Sequence, residues 1–175
     1  KVLLIVPASL LGNWGRECMK FTPELDFSIR HGKDAKKKDF PFLTIVTYQG
    51  AATSASIKEE KWDLVILDEA QNIKNRNTKQ TKAIKALERK QAIAMTGTPI
   101  ENSLMNLWSI FDFLSPGLLG DEKDFESFSD SLGGDKMDNL KKVVTPFILR
   151  RLKTDKSIIN DLPEKAENEL MVSLT

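Results

Sequence analysis

Apolar residues along this chain fall into short β-rich runs separated by helical patterns. VLLIV, residues 2–6, is an unbroken apolar run ended by Pro7, which predicts a strand buried on both faces. Ser9 follows as a candidate cap for a helix running to about Phe21, with Leu10, Trp14 and Met19 predicted to face inward and Pro23 beyond its end. DFSIRH (26–31), FLTIVTY (42–48), LVIL (64–67) and AIAM (92–95) predict four more strands, with a basic loop at 33–38 between the first two of them. Residues 77–89 predict a helix with Ala83, Ile84 and Leu87 inward and lysines outward. Residues 104–114 predict another, closed by Ser115-Pro116-Gly117. Strands alternating with helices give an α/β fold, a parallel sheet covered by helices on both faces. In such sheets ligands bind at the carboxyl ends of the strands.

After Gly117 the alternation stops. Residues 118–146 read as polar helices broken at Gly133-Gly134, followed by the apolar-then-basic FILRRLK (147–153) and a last apolar run, ELMVSL (169–174). The 175 residues are 41% hydrophobic and 29% charged, which fits one folded domain rather than a disordered tail. One cysteine, Cys18, and one histidine, His31, exclude an intrachain disulfide and a Cys-based zinc site; Cys18 reads as a packing residue. The longest apolar stretch is about half of the ~20 residues a membrane helix needs. No membrane segment or signal peptide is expected, and the expected setting is intracellular: cytoplasmic in a bacterium, nuclear in a eukaryote. Both ends stop without a tail, as in a piece of something longer. Charge is balanced overall at +1 but segregated: residues 74–90 carry +6, residues 121–138 carry −5 and residues 141–156 carry +5. Basic segments that converge could hold a polyanion such as DNA; otherwise they only solvate helix faces.

Two places carry candidate chemistry. In WDLVILDEAQ, Asp68, Glu69 and Gln71 come just past an apolar strand. A strand-end acid can present a carboxylate to Mg²⁺ in phosphate-transfer enzymes, and an adjacent acid can deprotonate a water. A helix cap with a first-turn acid accounts for the same letters. Thr96 follows Asp68 by 28 residues in IAMTGTPIENS, where Gly97 allows a sharp turn and the hydroxyls of Thr96 and Thr98 can bond to a neighbouring carboxylate. An ordinary strand-to-helix turn capped by Asn102 or Ser103 is the alternative. The pair of motifs is far more specific than either alone.

Together these segments resemble the first RecA-like lobe of the Swi/Snf-type ATPases, within the superfamily-two helicase-like proteins. LLIVPASLLGNW resembles their motif Ia, TIVTYQ motif Ib, DEAQNIKN motif II and MTGTPIEN motif III. LWSIFDFLSPGLLG, FILRRLK and LPEKAENELMVSLT resemble the segments that follow, so the likeness covers nearly the whole chain in order. The resemblance implies a three-layer RecA-like parallel sheet of the P-loop NTPase type with a helical protrusion. Residues 1–117 would form part of the lobe, 118–150 the protrusion, and 151–175 the return to the lobe and the start of a linker. It implies ATP and Mg²⁺ as cofactors, with Asp68 holding the Mg²⁺ through water, Glu69 polarising the attacking water, and Gln71 sensing the γ-phosphate or linking to a second lobe. Thr96, Gly97 and Thr98 would couple the nucleotide state to DNA. Pro7, Ala8, Ser9, Asn13, Trp14, Thr47, Tyr48, Lys74 and Asn75 would lie near duplex DNA, with Arg150 and Arg151 at the protrusion's exit. The implied function is that of a DNA-dependent ATPase that translocates on duplex DNA and remodels protein–DNA complexes.

One part of the family pattern is missing. The 175 residues contain no G-x-x-x-x-G-K-[ST]; the sole Gly-Lys, Gly32-Lys33, runs into Asp34. The phosphate-cradling loop is therefore expected upstream of Lys1, and the second lobe with its arginine finger downstream of Thr175. On this reading the chain alone hydrolyses ATP negligibly, and its exposed strand edges invite self-association. Two alternatives stay open: a helicase lobe of the DEAD/DEAH type acting on RNA, and a non-catalytic DNA-binding module that keeps the fold. The IKN extension, TGTP and FILRR stand against the first; Asp68 and Glu69 stand against the second.

Overall fold

The computed structural model describes residues 1–31, 39–97, 104–131 and 133–150. The chain divides into two compact units, Lys1–Ser131 and Leu132–Thr175. The first holds five strands among the described residues: β1 (Val2–Val6), β2 (Phe27–Arg30), β3 (Leu43–Thr47), β4 (Trp62–Asp68) and β5 (Arg89–Met95). All are parallel, in the order β2-β3-β1-β4-β5. β1 lies in the centre, which is why its run is apolar without alternation: Leu3, Leu4, Ile5 and Val6 are all buried.

Successive residues of each strand enter different layers. Leu3, Ile5, Val46, Val65 and Leu67 pack with Tyr48 and Ala51 of α2 (Tyr48–Thr53), Ile57 of α3 (Ala55–Glu59), Ile84 of α4 (Lys79–Lys85) and Phe113 of α5 (Leu104–Leu114). Leu4, Val6, Leu43 and Ile45 face the other way, onto Cys18, Leu11 and Trp14 of α1 (Leu11–Phe21). Helices therefore cover both faces of the sheet. α6 (Glu122–Asp130) completes this unit and packs on α5. In the second unit α7 (Gly134–Val144) leads into a 3₁₀ turn, Thr145–Phe147. Among the described residues no helix is long and apolar enough to cross a membrane.

Most predicted elements are present, and α5 has its predicted bounds, but three local expectations fail. Ser9 does not cap α1: it lies exposed in a 3₁₀ turn, Ala8–Leu10, that feeds straight into the helix, so Leu10 takes the cap position without a side-chain bond. Met19 is 60% exposed, because Gly15 and Cys18 form the inward stripe of α1. The helix predicted over 77–89 is confined to Lys79–Lys85. Thr78 caps it, its Oγ1 accepting from the Thr81 amide at 3.1 Å, and the chain must leave early because Arg89 already starts β5. Leu87 stays inward, as expected, but from the connecting turn. Cys18 is a buried packing residue, as expected, and Trp62 and Trp108 are buried too. The apolar run at 169–174 lies outside the described residues.

The basic stretch 74–90 is largely spent inside its own unit. Arg76 reaches the acids of α6, Glu122 at 2.5 Å and Glu126 at 3.5 Å. Lys85 pairs with Asp112 at 2.9 Å, and Lys90 with Asp63 at 2.6 Å. The Arg89 guanidinium stacks on Phe113 and donates to the carbonyls of Lys85, Leu87 and Phe113. Part of the acidic segment thus has an intramolecular partner, and Arg76, Lys85, Arg89 and Lys90 are engaged within this unit.

Candidate active site

Parallel pairing brings the two motifs together. Asp68 is the last residue of β4 and its partner across the ladder is Met95, the last residue of β5. Thr96 therefore begins where Glu69 begins, at the carboxyl edge of the sheet. Three hydrogen bonds tie these ends into one unit. The Thr96 hydroxyl donates to Gln71 Oε1 at 2.7 Å, and Gln71 Nε2 donates to Glu69 Oε2 at 2.7 Å. Asp68 Oδ1 accepts from the Glu69 amide at 3.0 Å.

Glu69 has φ 53° and ψ 56°, the single non-glycine residue with positive φ among the described residues. That conformation costs about 1–2 kcal/mol for a residue with a Cβ. Several donors converge on its carbonyl: the amide of Asn72 at 3.0 Å, the side chain of Asn72 at 2.8 Å and the hydroxyl of Tyr48 at 3.3 Å. The sharp turn lets a 3₁₀ turn, Ala70–Ile73, start at once and bury Ala70 and Ile73, the latter anchored by Ser109 Oγ donating to its carbonyl at 2.6 Å. It also brings Gln71 within reach of both Glu69 and Thr96. The capping alternative for Asp68-Glu69 is not realised, since the turn has no side-chain cap bond.

Asp68 is held from a second side. Its Oδ2 accepts the indole N–H of Trp14, from α1, at 2.7 Å, and its backbone carbonyl accepts the Tyr48 hydroxyl at 2.8 Å. Tyr48 is 5% exposed, and burial first, then Asp68 and Glu69, pushes its phenol far above the ordinary tyrosine range, so it stays a donor. Tyr48 is expected near DNA; the structure buries its side chain in the support of the Asp-Glu turn. Thr47, half-buried, caps α2 by accepting from the Gly50 amide at 3.0 Å. Neither supporting role was visible in the sequence. A tyrosine directly after a strand-end threonine was the signal available for it.

Pro7, Ala8, Ser9 and Asn13 follow the carboxyl end of β1, and Lys74 and Asn75 follow the turn after β4. All six are exposed or half-exposed at the edge that carries Asp68. Arg150 is exposed in the second unit. Thr98 and Arg151 lie outside the described residues; Gly97 is exposed just past β5. Asp68 and Glu69 are not part of any cluster of three or more metal-ligating side chains among the described residues. A carboxylate has about four acceptor sites; two on Asp68 are taken by Trp14 and the Glu69 amide, which leaves room for water. That donor set fits Mg²⁺ carried in by a nucleotide's phosphates and held through water, not a cation caged by protein alone.

The model of the SNF2-related domain matches residues 1–175. A solved structure described as the Sulfolobus solfataricus SWI2/SNF2 ATPase core in complex with dsDNA superposes with a TM-score of 0.84 at 45% identity, over 93% of this chain and 36% of that one. The chain is 36% identical to the uncharacterized ATP-dependent helicase MG018 of Mycoplasma genitalium, over 99% of its own length and 17% of the relative's. It is 31% identical to the ISWI chromatin-remodeling complex ATPase ISW2 of Saccharomyces cerevisiae, over 99% of its length and 17% of that protein's. It thus spans about a sixth of the length of these curated relatives and about a third of the solved chain. The five-stranded parallel sheet is that of a RecA-like SWI2/SNF2 core, and the chain belongs to the SNF2-related domain family.

Proposed function

We propose that this chain is part of the first lobe of a DNA-dependent ATPase that moves along duplex DNA and remodels protein–DNA complexes. The observation that carries the reading is the bonded series Thr96–Gln71–Glu69 beside a braced Asp68, at the ends of adjacent parallel strands. It holds two carboxylates at one edge in separate roles. Asp68, with two acceptor sites occupied by protein donors, keeps its remaining ones toward water and a phosphate-bound cation. Glu69, oriented by the amide of Gln71, is the base that aligns and deprotonates a water; such a base contributes about 10²–10⁴ in rate. Mg²⁺ with ATP supplies charge neutralisation on the phosphates when bound. Thr96 ties the end of β5 to this base, so a displacement there is felt at Glu69.

Residues 8, 9 and 13, exposed beside the half-exposed Pro7, lie on the same edge as Lys74 and Asn75 and offer backbone amides and polar side chains. Those groups suit a phosphate backbone rather than base edges, so binding is independent of sequence. The solved neighbour bound to dsDNA supports duplex over single strands. Residues 118–150 are assigned to a helical protrusion and 151–175 to the return toward a linker. A second RecA-like lobe carrying an arginine finger is the intramolecular partner, worth ~10³–10⁵ in rate in related phosphoryl transfers. This chain by itself is expected to turn over ATP negligibly. The test is ATP turnover by the full-length protein with duplex DNA, single-stranded DNA and single-stranded RNA. Acceleration by duplex DNA above the other two is expected; acceleration by RNA alone would move the chain to the DEAD/DEAH alternative.

A further inference from the structure

Trp14 is expected, from its motif, to lie near DNA, and its neighbour Asn13 is exposed as that role requires. Trp14 itself is turned the other way. Its ring belongs to the apolar layer under α1, with Leu10, Leu25 and Leu43, and its indole nitrogen is 2.7 Å from Asp68 Oδ2. A cavity of about 550 Å³ opens beside this bond, lined by Trp14, Cys18, Phe21 and Leu25 and reaching Asp68. α1 lies close over the sheet at this point. A Cβ placed on Gly15 would meet Ile29 Cδ1 at 2.8 Å, and Cys18, one turn further on, is buried. The indole is thus a fixed arm from the helix that begins at the expected DNA contact to the carboxylate expected to hold the cation.

We propose that Trp14 is a positioning residue: its N–H fixes the rotamer of the Asp68 carboxylate, so that Oδ2 meets the hydrated cation in one orientation only. The inference rests on the function proposed above. It follows from the chemistry of the pair. Indole is a donor and nothing else, so it can orient a carboxylate without competing for the metal. A half-buried bond to a charged acceptor is also stronger than a neutral one. Outer partners of metal-binding groups are worth about 10–100-fold in metal affinity or activity. A purely packing tryptophan would have none of these effects, and a DNA-contacting tryptophan would act on DNA affinity instead.

The test uses the full-length protein as Trp14→Phe, which keeps an aromatic ring in the apolar layer and removes the N–H. Binding of a fluorescent ATP analogue is titrated with Mg²⁺, turnover is measured over the same range, and affinity for a labelled duplex is read by anisotropy. The expected result is a Mg²⁺ midpoint raised about 10-fold or more and a lower kcat, with duplex affinity within about twofold of the wild type, which also reports that the fold is intact. In an Asp68→Asn background the same substitution is expected to add nothing, since the pair acts as a unit. An unmoved Mg²⁺ midpoint in a wild type that does hydrolyse ATP overturns this inference alone. So does a tenfold loss of duplex affinity with the midpoint unchanged, which would return Trp14 to the DNA surface. A variant that unfolds is replaced by Trp14→His, which keeps a ring N–H; a midpoint shift as large as that of Asp68→Asn would then count against the donor role. A wild type that neither binds nor hydrolyses the nucleotide overturns the proposed function, and this inference with it.

Discussion

Tyr48 and Glu69 carry the least visible part of the site. The conformation of Glu69, at φ 53°, is held because the groups around its carbonyl leave it no better choice. Tyr48 contributes twice, to the carbonyls of Asp68 and Glu69. Removing its hydroxyl leaves the Asp68 carbonyl short of a buried donor, at a cost of about 0.5–1.5 kcal/mol. Tyr48→Phe is therefore expected to lower the thermal midpoint and slow turnover, with duplex affinity unchanged. A variant of normal stability that binds DNA more weakly would favour a DNA role for Tyr48 instead. Its buried position was not legible in the sequence, for a definite reason. A residue just past a strand end can point over the edge or back under it, and adjacency in sequence does not choose between the two. Here the apolar layer formed by Ala51, Ile57 and Leu67 takes the ring. Asp68 and Glu69 stood out in the sequence because a largely apolar strand, Trp62–Asp68, runs into them, although a helix cap accounts for the same letters and only the pairing with Thr96-Gly97 made the motif specific.

Strands and long helices were legible because their periods are strong; helix starts and short helices were not. α1 begins without a side-chain cap and presents Gly15 and Cys18 inward, small residues that hydrophobic pattern alone passes over. Their smallness lets the helix lie close to β2 and brings Trp14 down to Asp68. α2 makes the same use of glycine on the other face. A Cβ on Gly50 would lie 2.7 Å from Val46 Cγ2 and 3.1 Å from Thr47 Oγ1. Val46 is fully buried and β-branched, so it has no free rotamer to retreat to. Overpacking of about 1–3 kcal/mol should outweigh the ~0.5–1 kcal/mol that alanine gains over glycine in a helix. Gly50→Ala is thus expected to lower the thermal midpoint by several degrees. Gly15→Ala should be close to neutral, because it meets only the far end of Ile29. Equal effects from the two would mean that α2 can lift away from the sheet, and that its hold on the Asp-Glu turn through Tyr48 is slack.

The parallel order β2-β3-β1-β4-β5 explains why residues far apart in sequence meet at one edge: every strand ends there. Pro7 after β1, Thr47 closing β3, Asp68 closing β4 and Thr96 after β5 follow from that alone. The α/β class was readable from alternation, but the strand order was not, because order depends on which crossovers pack best. The charge segments were readable as segments, yet their partners depended on tertiary placement, as the pairing of Arg76 with Glu122 illustrates. What remains at the edge is a pair of carboxylates with distinct supports, and the account stands or falls on Glu69 acting as the base. The most direct measurement is duplex-stimulated ATP turnover by the full-length protein as wild type and as Glu69→Gln, with ATP affinity measured alongside. Glutamine keeps the shape and an acceptor for the Gln71 amide but cannot take a proton. Turnover is expected to fall by about 10²–10⁴ while ATP affinity stays within a few-fold. Wild-type turnover in the Glu69→Gln protein, with ATP still bound and hydrolysed, would contradict the assignment of this turn as the catalytic centre.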